Sequence, residues 1–260
     1  SCGKTTLKEM IGHSLKKIFR TTYSLKSFNN KYGVPLSLFN LKSNDDFGVF
    51  EVGMDKKGEI DYLTNIIKPD LGIITNVSYA HSKNFKSINH IAYAKAEIMN
   101  HIKEDGVIIL NKDDNFYNYH QKIAFKKKLK VFSFSLKNKK SNVFLEKIIK
   151  EKNIFKLIIN VQGIKKYFYI NNRNENLIKN ILACVTIIVA TNNNKFLKIN
   201  MFKKIKLVDG RGDISKIRIK NKIINLIDES YNSNPLSLKS AIENFNSIKT
   251  KSKKFMILGE

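Results

Sequence analysis

Three things are scarce in this 260-residue chain, and each scarcity excludes something. Cysteine occurs twice, as Cys2 and Cys184, in unlike settings. Two such thiols build no disulfide framework, which excludes a stapled miniprotein and makes a reducing compartment the default. Long hydrophobic runs are missing. The longest, Ile181 to Ala190, is about half of the ~20 residues needed to cross a bilayer, which excludes a helical membrane protein and predicts no membrane insertion. Acidic charge is short as well: 22 Asp and Glu face 47 Lys and Arg, a formal net charge of +25.

What is present is a chain able to fold. A hydrophobic fraction of 42% fills a core for one large or two modest domains, which excludes a wholly disordered polypeptide. The basic excess invites a nucleic-acid partner, because lysines on phosphate release counterions. The lysines do not gather, however. Lys127, Lys139, Lys165, Lys203 and Lys253 lie in different segments of a chain rich in Lys, Asn and Ile throughout. A compositional bias explains the charge better than a nucleic-acid footprint, so no nucleic-acid partner is expected. The charge can still attract polyanionic small molecules.

Hydrophobic periodicity alternates between helix and strand. Helices are predicted at Thr5–Phe19, Glu59–Ile67, Ile88–Ile102 and Asn115–Phe125, with strands at Phe47–Val52, Leu71–Thr75, Val107–Leu110 and Lys130–Phe134. Alternating strands and helices argue for a parallel sheet covered on both faces. After Ser135 the rhythm changes to three strands with short turns, Val143–Lys150, Ile154–Val161 and Lys166–Ile170, an antiparallel excursion. An apolar helix follows at Leu177–Thr191. A second unit is expected from Val208, with strands at Ile214–Ile219, Ile223–Ile227 and Phe255–Leu258 and a helix at Leu236–Ile248. The chain opens inside a motif and stops directly after a predicted strand, so both true ends are expected to lie outside it.

Gly3-Lys4-Thr5 followed by a helix is the second half of a phosphate-binding loop. Amides at a helix N-terminus point at an anion, Lys4 would neutralise β/γ-phosphate charge, and Thr5 would offer a hydroxyl to Mg²⁺. Other polar residues end predicted strands: Glu51, Asn76, and the trio Asn111, Asp113 and Asp114. Ligands of open α/β sheets bind at that edge. Two explanations fit Asp113 and Asp114 equally, a place on the binding rim or simple turn and cap formation. For Glu51 the second is weaker, since a carboxylate between Phe50 and Val52 is costly to bury without a cation. Periodicity alone marks neither His81 nor Lys95 as functional.

Taken in order, the motifs resemble the Mur ligases, and among them the D-alanyl-D-alanine-adding MurF type. The resemblance rests on Ser1-Cys2-Gly3-Lys4-Thr5-Thr6-Leu7-Lys8-Glu9-Met10, Asn29-Asn30 with Gly33-Val34-Pro35-Leu36, and Glu51-Val52-Gly53-Met54 with Gly58-Glu59-Ile60. It continues through Lys68-Pro69-Asp70, Thr75-Asn76-Val77, Ala80-His81, Ala94-Lys95-Ala96-Glu97, Asp209-Gly210-Arg211-Gly212 and Asp228-Glu229-Ser230-Tyr231-Asn232-Ser233-Asn234-Pro235. The fold it implies is α/β: a mostly parallel, doubly wound P-loop ATPase domain over 1–207 and the start of a second, Rossmann-like domain over 208–260.

The resemblance implies an ATP-dependent, ADP-forming amide ligase of peptidoglycan precursor synthesis, cytoplasmic and monomeric. Its partners would be UDP-N-acetylmuramoyl-tripeptide and D-alanyl-D-alanine, and its intermediate an acyl phosphate. Gly3, Lys4, Thr5, Thr6, Asn180, Arg211 and Asp228 would bind ATP. Thr5 and Glu51 would hold one Mg²⁺, and His81 with a carbamylated Lys95 a second. Lys4, Lys95 and His81 would be catalytic. Asn29, Asn30, Tyr231, Asn232 and Asn234 would face the substrate. The family's Gly-x-His-Asn run before the adenine asparagine is replaced here by Asn174-Glu175-Asn176-Leu177. The domains for the uridine nucleotide and for most of D-alanyl-D-alanine binding are absent, so this chain alone is not expected to be a competent ligase. A folylpolyglutamate synthase-like ligase is the alternative within enzymes, and a basic nucleic-acid-binding NTPase module the alternative outside them.

Overall fold

The computed structural model describes residues 3–78, 84–152, 154–203, 210, 212–230, 235–248, 250 and 252–259. The chain divides into two compact units, Ser1–Val208 and Asp209–Glu260.

In the first unit a six-stranded sheet runs in the order β3 (Leu71–Ile74), β4 (Val107–Asn111), β5 (Lys130–Ser135), β6 (Val143–Glu151), β7 (Ile154–Val161), β8 (Ile164–Ile170). Strands β3 to β6 pair in parallel, and β6, β7 and β8 pair antiparallel. The antiparallel excursion therefore extends the main sheet instead of leaving it. Side chains alternate across a strand. Ile109 of β4 joins an apolar cluster with α1 (Lys4–Lys16) and α6 (Glu175–Ala190). Its neighbours Ile108 and Leu110 face the opposite cluster, with Met99, Tyr117 and Ala124. A strand buried on both faces reads as an unbroken apolar run, as Val107-Ile108-Ile109-Leu110 does. Helix α6 is apolar almost all round for the same reason. It starts where Asn174 Oδ1 accepts from the amides of Asn176 and Leu177.

Beside this sheet, β1 (Thr21–Tyr23) and β2 (Phe47–Val49) form a separate parallel pair under α1. Neither β1 nor the six-residue helix α2 (Gly33–Leu38) was expected, since three and six residues are too short for a periodic signal. Helices α3 (Glu59–Ile67), α4 (Ile88–Ala96) and α5 (Tyr117–Lys126) fill the remaining crossovers. The helix expected over Ile88–Ile102 is α-helical only to Ala96 and continues as a 3₁₀ turn over Glu97–Asn100.

The second unit holds the antiparallel hairpin β9 (Asp213–Ile219) and β10 (Lys222–Asp228), and helix α7 (Pro235–Ser247). The strand expected at Phe255–Leu258 is not formed. A strand persists as part of a hydrogen-bonded ladder, and this segment pairs with none among the described residues.

Candidate nucleotide and metal site

The site begins at the first turn of α1. Gly3 is its N-cap, in the left-handed region at φ 81°, and its carbonyl accepts from Leu7 N at 2.9 Å. No acidic side chain occupies the first turn, and among the described residues no side-chain cap is formed there. The helix thus keeps its positive end for an anion. Glycine is favoured here because positive φ is strained for other residues; a Cβ would also stand a tight 3.3 Å from Asn180 Oδ1. Asn180, buried on α6, therefore packs against the loop itself.

Lys4 and Thr5 follow directly. Thr5 is 2% exposed, and Lys4 Nζ lies 4.0 Å from Glu51 Oε1. Glu51 is 5% exposed and sits just beyond the end of β2. Asn29 Nδ2 donates to its Oε1 at 2.8 Å, and its own backbone amide donates to Ser24 Oγ at 3.4 Å. Its second oxygen, Oε2, is buried with no hydrogen-bond partner among the described residues. Leaving a buried acceptor unmatched costs about 1–3 kcal/mol, and more for a charged group. A hard divalent cation would satisfy that oxygen, and a threonine hydroxyl with one carboxylate is the sparse ligand set that Mg²⁺ takes beside phosphates. The residues present therefore fit Mg²⁺. Among the described residues no group of three His, Cys, Asp or Glu converges as a metal cage.

The other expected residues are placed as follows. The Asn30 Oδ1 accepts from Tyr32 N and Gly33 N, capping α2. Lys95 is 9% exposed on α4, between the buried Ala94 and Ala96. Asp228 ends β10 in the second unit, where its Oδ1 accepts from Ser230 N at 2.9 Å; hydrogen bonds from Ser230 hold its carboxyl below the usual range. His81, Arg211, Tyr231, Asn232 and Asn234 lie outside the described residues.

The carboxylates after β4 take the structural role. Asp113 accepts from Ser135 Oγ at 2.5 Å and from Leu136 N at 2.6 Å. Asp114 accepts from Val77 N at 2.7 Å and Phe116 N at 2.9 Å. Asn111 bridges Thr75 O and Asp113 N. Nearby, His120 is 2% exposed with Nε2 3.0 Å from Ala92 O, and burial pushes its pKa down from 6.5. Glu97 caps α3: both its oxygens accept from Gly58 N, at 2.9 and 3.0 Å.

Sequence reasoning passed over two contributors, Ser24 and Lys8. Ser24 carries no signal, being an ordinary serine between Tyr23 and Leu25. Lys8 does carry one, since it falls a single helical turn after Lys4 and so on the same face of α1.

A left-handed glycine, a lysine and a buried threonine opening a helix against a wound sheet define a phosphate-loop α/β domain. The sequence profile of the Mur ligase middle domain matches residues 1–188, and the chain belongs to the Mur ligase family. The UDP-N-acetylmuramoyl-tripeptide–D-alanyl-D-alanine ligase of Buchnera aphidicola subsp. Acyrthosiphon pisum is 34% identical over 250 residues, covering 94% of this chain and 52% of that protein. MurF from Acinetobacter baumannii superposes with a TM-score of 0.85 at 27% identity, covering 96% of this chain and 53% of its own. MurF ligase from Thermotoga maritima, solved in complex with ADP, shares the fold at TM-score 0.82 and 23% identity, covering 96% of this chain and 56% of its own. The chain spans about half the length of the curated relatives it matches. Among the described residues no helix is long and apolar enough to cross a membrane.

Proposed function

We propose that the protein is an ATP-dependent amide ligase joining D-alanyl-D-alanine to UDP-N-acetylmuramoyl-tripeptide. In this reading residues 1–207 are its central ATP-binding domain and 208–260 the beginning of its C-terminal ligase domain. The observation that carries the proposal is the spare, buried Oε2 of Glu51 with Lys4 beside it at the head of a phosphate-loop helix.

The chemistry follows from charge. A tripeptide carboxylate oxygen attacks the γ-phosphorus, and the bond to the ADP oxygen breaks, leaving an acyl phosphate and ADP. The amine of D-alanyl-D-alanine then attacks the acyl carbon, phosphate departs with the C–O bond, and the amine gives up a proton. Carboxylate and triphosphate repel, so positive charge must be fixed where they meet. Lys4 supplies it on the γ-phosphate, and the Gly3-to-Thr6 amides bind the phosphate oxygens. The Thr5 hydroxyl and Glu51 Oε2 would hold Mg²⁺. Mg²⁺, when bound, screens the phosphate oxygens and polarises phosphorus. His81 and a carbamylated Lys95 would hold a second ion. Carbamylation forms an N–C bond between a neutral amine and CO₂ with loss of a proton, and the burial of Lys95 between alanines suits it. Asn180, Arg211 and Asp228 would bind the nucleotide. Asn29, Asn30 through its Nδ2, Tyr231, Asn232 and Asn234 would face the UDP-linked substrate.

The test is phosphate release by the whole protein. Release is expected only when ATP, UDP-tripeptide and D-alanyl-D-alanine are all present, and Lys95→Ala should abolish it, with part restored by formate. Equal release without either acceptor would refute the ligase. An unimpaired Lys95→Ala would remove Lys95 from the site.

A further inference from the structure

Lys8 is a buried cation that the chemistry above leaves unused. It is 3% exposed, although lysine is rarely buried without partners. Its Nζ donates to Ser24 O at 2.5 Å, Lys26 O at 2.7 Å and Glu9 Oε1 at 2.5 Å. An ammonium has three donors, and all three are matched. The ammonium also lies 5.8 Å from the centre of the Tyr23 ring.

The two carbonyls belong to the loop that leaves β1. Lys26 in that loop holds a left-handed backbone at φ 46°, which disfavours a side-chain-bearing residue. From the other side the loop is stitched to the segment carrying Glu51. Ser24 N donates to Val49 O at 3.0 Å, Glu51 N donates to Ser24 Oγ at 3.4 Å, and Gly53 N donates to Asn29 O at 2.7 Å. Asn29 Nδ2 then occupies Oε1 of Glu51. A Cβ on Gly53 would fall 2.9 Å from Asn29 Cγ, so the fit between these strands of chain is close.

We infer that Lys8 is a positioning residue for the metal carboxylate: it clamps the loop after β1, so that Ser24 and Asn29 hold Glu51 with Oε1 engaged and Oε2 open. One helical face thereby does two jobs, with Lys4 at the phosphates and Lys8 a turn below fixing the carboxylate partner. The inference rests on the reading of Glu51 as a Mg²⁺ ligand. Partners that orient a ligand are worth about 10–100-fold in metal affinity.

The experiment measures affinity for a non-hydrolysable ATP analogue by calorimetry on the 260-residue chain, once with Mn²⁺ and once with EDTA. The gain from metal is the readout. Lys8→Met is expected to cut that gain about tenfold and to leave binding in EDTA nearly unchanged. Lys8→Arg, which keeps charge and donors, should restore part of it. Amide exchange at Glu51 and Gly53 should quicken in Lys8→Met. Val185→Ala, a cavity in α6, serves as the control that lowers the melting temperature and keeps the gain. If Lys8→Met does not fold, Ser24→Ala decides, and a diminished gain is again expected. An unchanged gain in whichever variant decides, or an equal loss in Val185→Ala, would overturn the positioning role alone. A wild-type chain that shows no gain from metal would overturn the nucleotide reading first, and this inference with it.

Discussion

Two carboxylate sets end neighbouring segments of the same α/β unit, and the fold treats them oppositely. Asp113 and Asp114, after β4, accept hydrogen bonds from four groups on three chain segments. Glu51, after β2, is more deeply buried than either, yet among the described residues it accepts from Asn29 on one oxygen and from nothing on the other. A carboxylate ion has about four acceptor sites. Each aspartate engages both oxygens in holding loops together, and Glu51 keeps one in reserve at a cost in stability. Position at a strand end therefore does not make a ligand. What sets Glu51 apart is an unpaired oxygen on a carboxylate 4.0 Å from Lys4 of the phosphate loop.

Glu51→Gln should break the comparison most severely. The amide oxygen can still accept from Asn29, so the chain should fold, but a neutral group binds Mg²⁺ poorly. The metal-dependent gain in nucleotide affinity is expected to fall on the order of 100-fold, measured with and without EDTA. A gain left intact would place Glu51 with the loop-holding carboxylates. Asp114→Ala should do the reverse. It strips a charged acceptor from two amides, so urea denaturation should show a loss of about 2–3 kcal/mol while the gain from metal stays unchanged. A folded, fully stable variant that binds metal–nucleotide worse would move Asp114 onto the binding rim.

A smaller effect sharpens the same contrast. His120 packs near Asp114 and Lys95, and its depressed pKa follows first from burial. The unfolded chain binds that proton more tightly than the folded one. Stability from the neutral ring is therefore fully present above the ordinary value of 6.5 and is lost as pH falls from there through the lowered folded value. His120→Gln should flatten that part of the urea-midpoint profile against pH. An unaltered slope would mean that the ring is not held neutral.

Much of the fold was legible because its signals are local. The span Glu59–Ile67 was bounded by periodicity and by Pro69, and Ile154–Val161 by the short polar turns on either side. Local signals failed where elements are very short, as in β1 and α2, and where a strand-like run lacks a partner, as at Phe255–Leu258. In the site, Gly3, Lys4 and Thr5 announce themselves by adjacency. Glu51 was marked by its apolar flanks, which foretold burial. Ser24 stayed hidden because its contact with Glu51 spans 27 residues of sequence, and helical spacing places Lys8 on the Lys4 face without revealing its partners 16 and 18 residues away.

By itself the sequence determined the order of the longer strands and helices, the phosphate loop and the family, since each is written in spacing that neighbouring residues impose on one another. Only the tertiary structure decided which carboxylate has both oxygens engaged and which has one spare, and that a lysine one turn into α1 grips the loop beside Glu51. Hydrogen-bond capacity is accounted for atom by atom across segments that meet only after folding, and no local pattern records that sum.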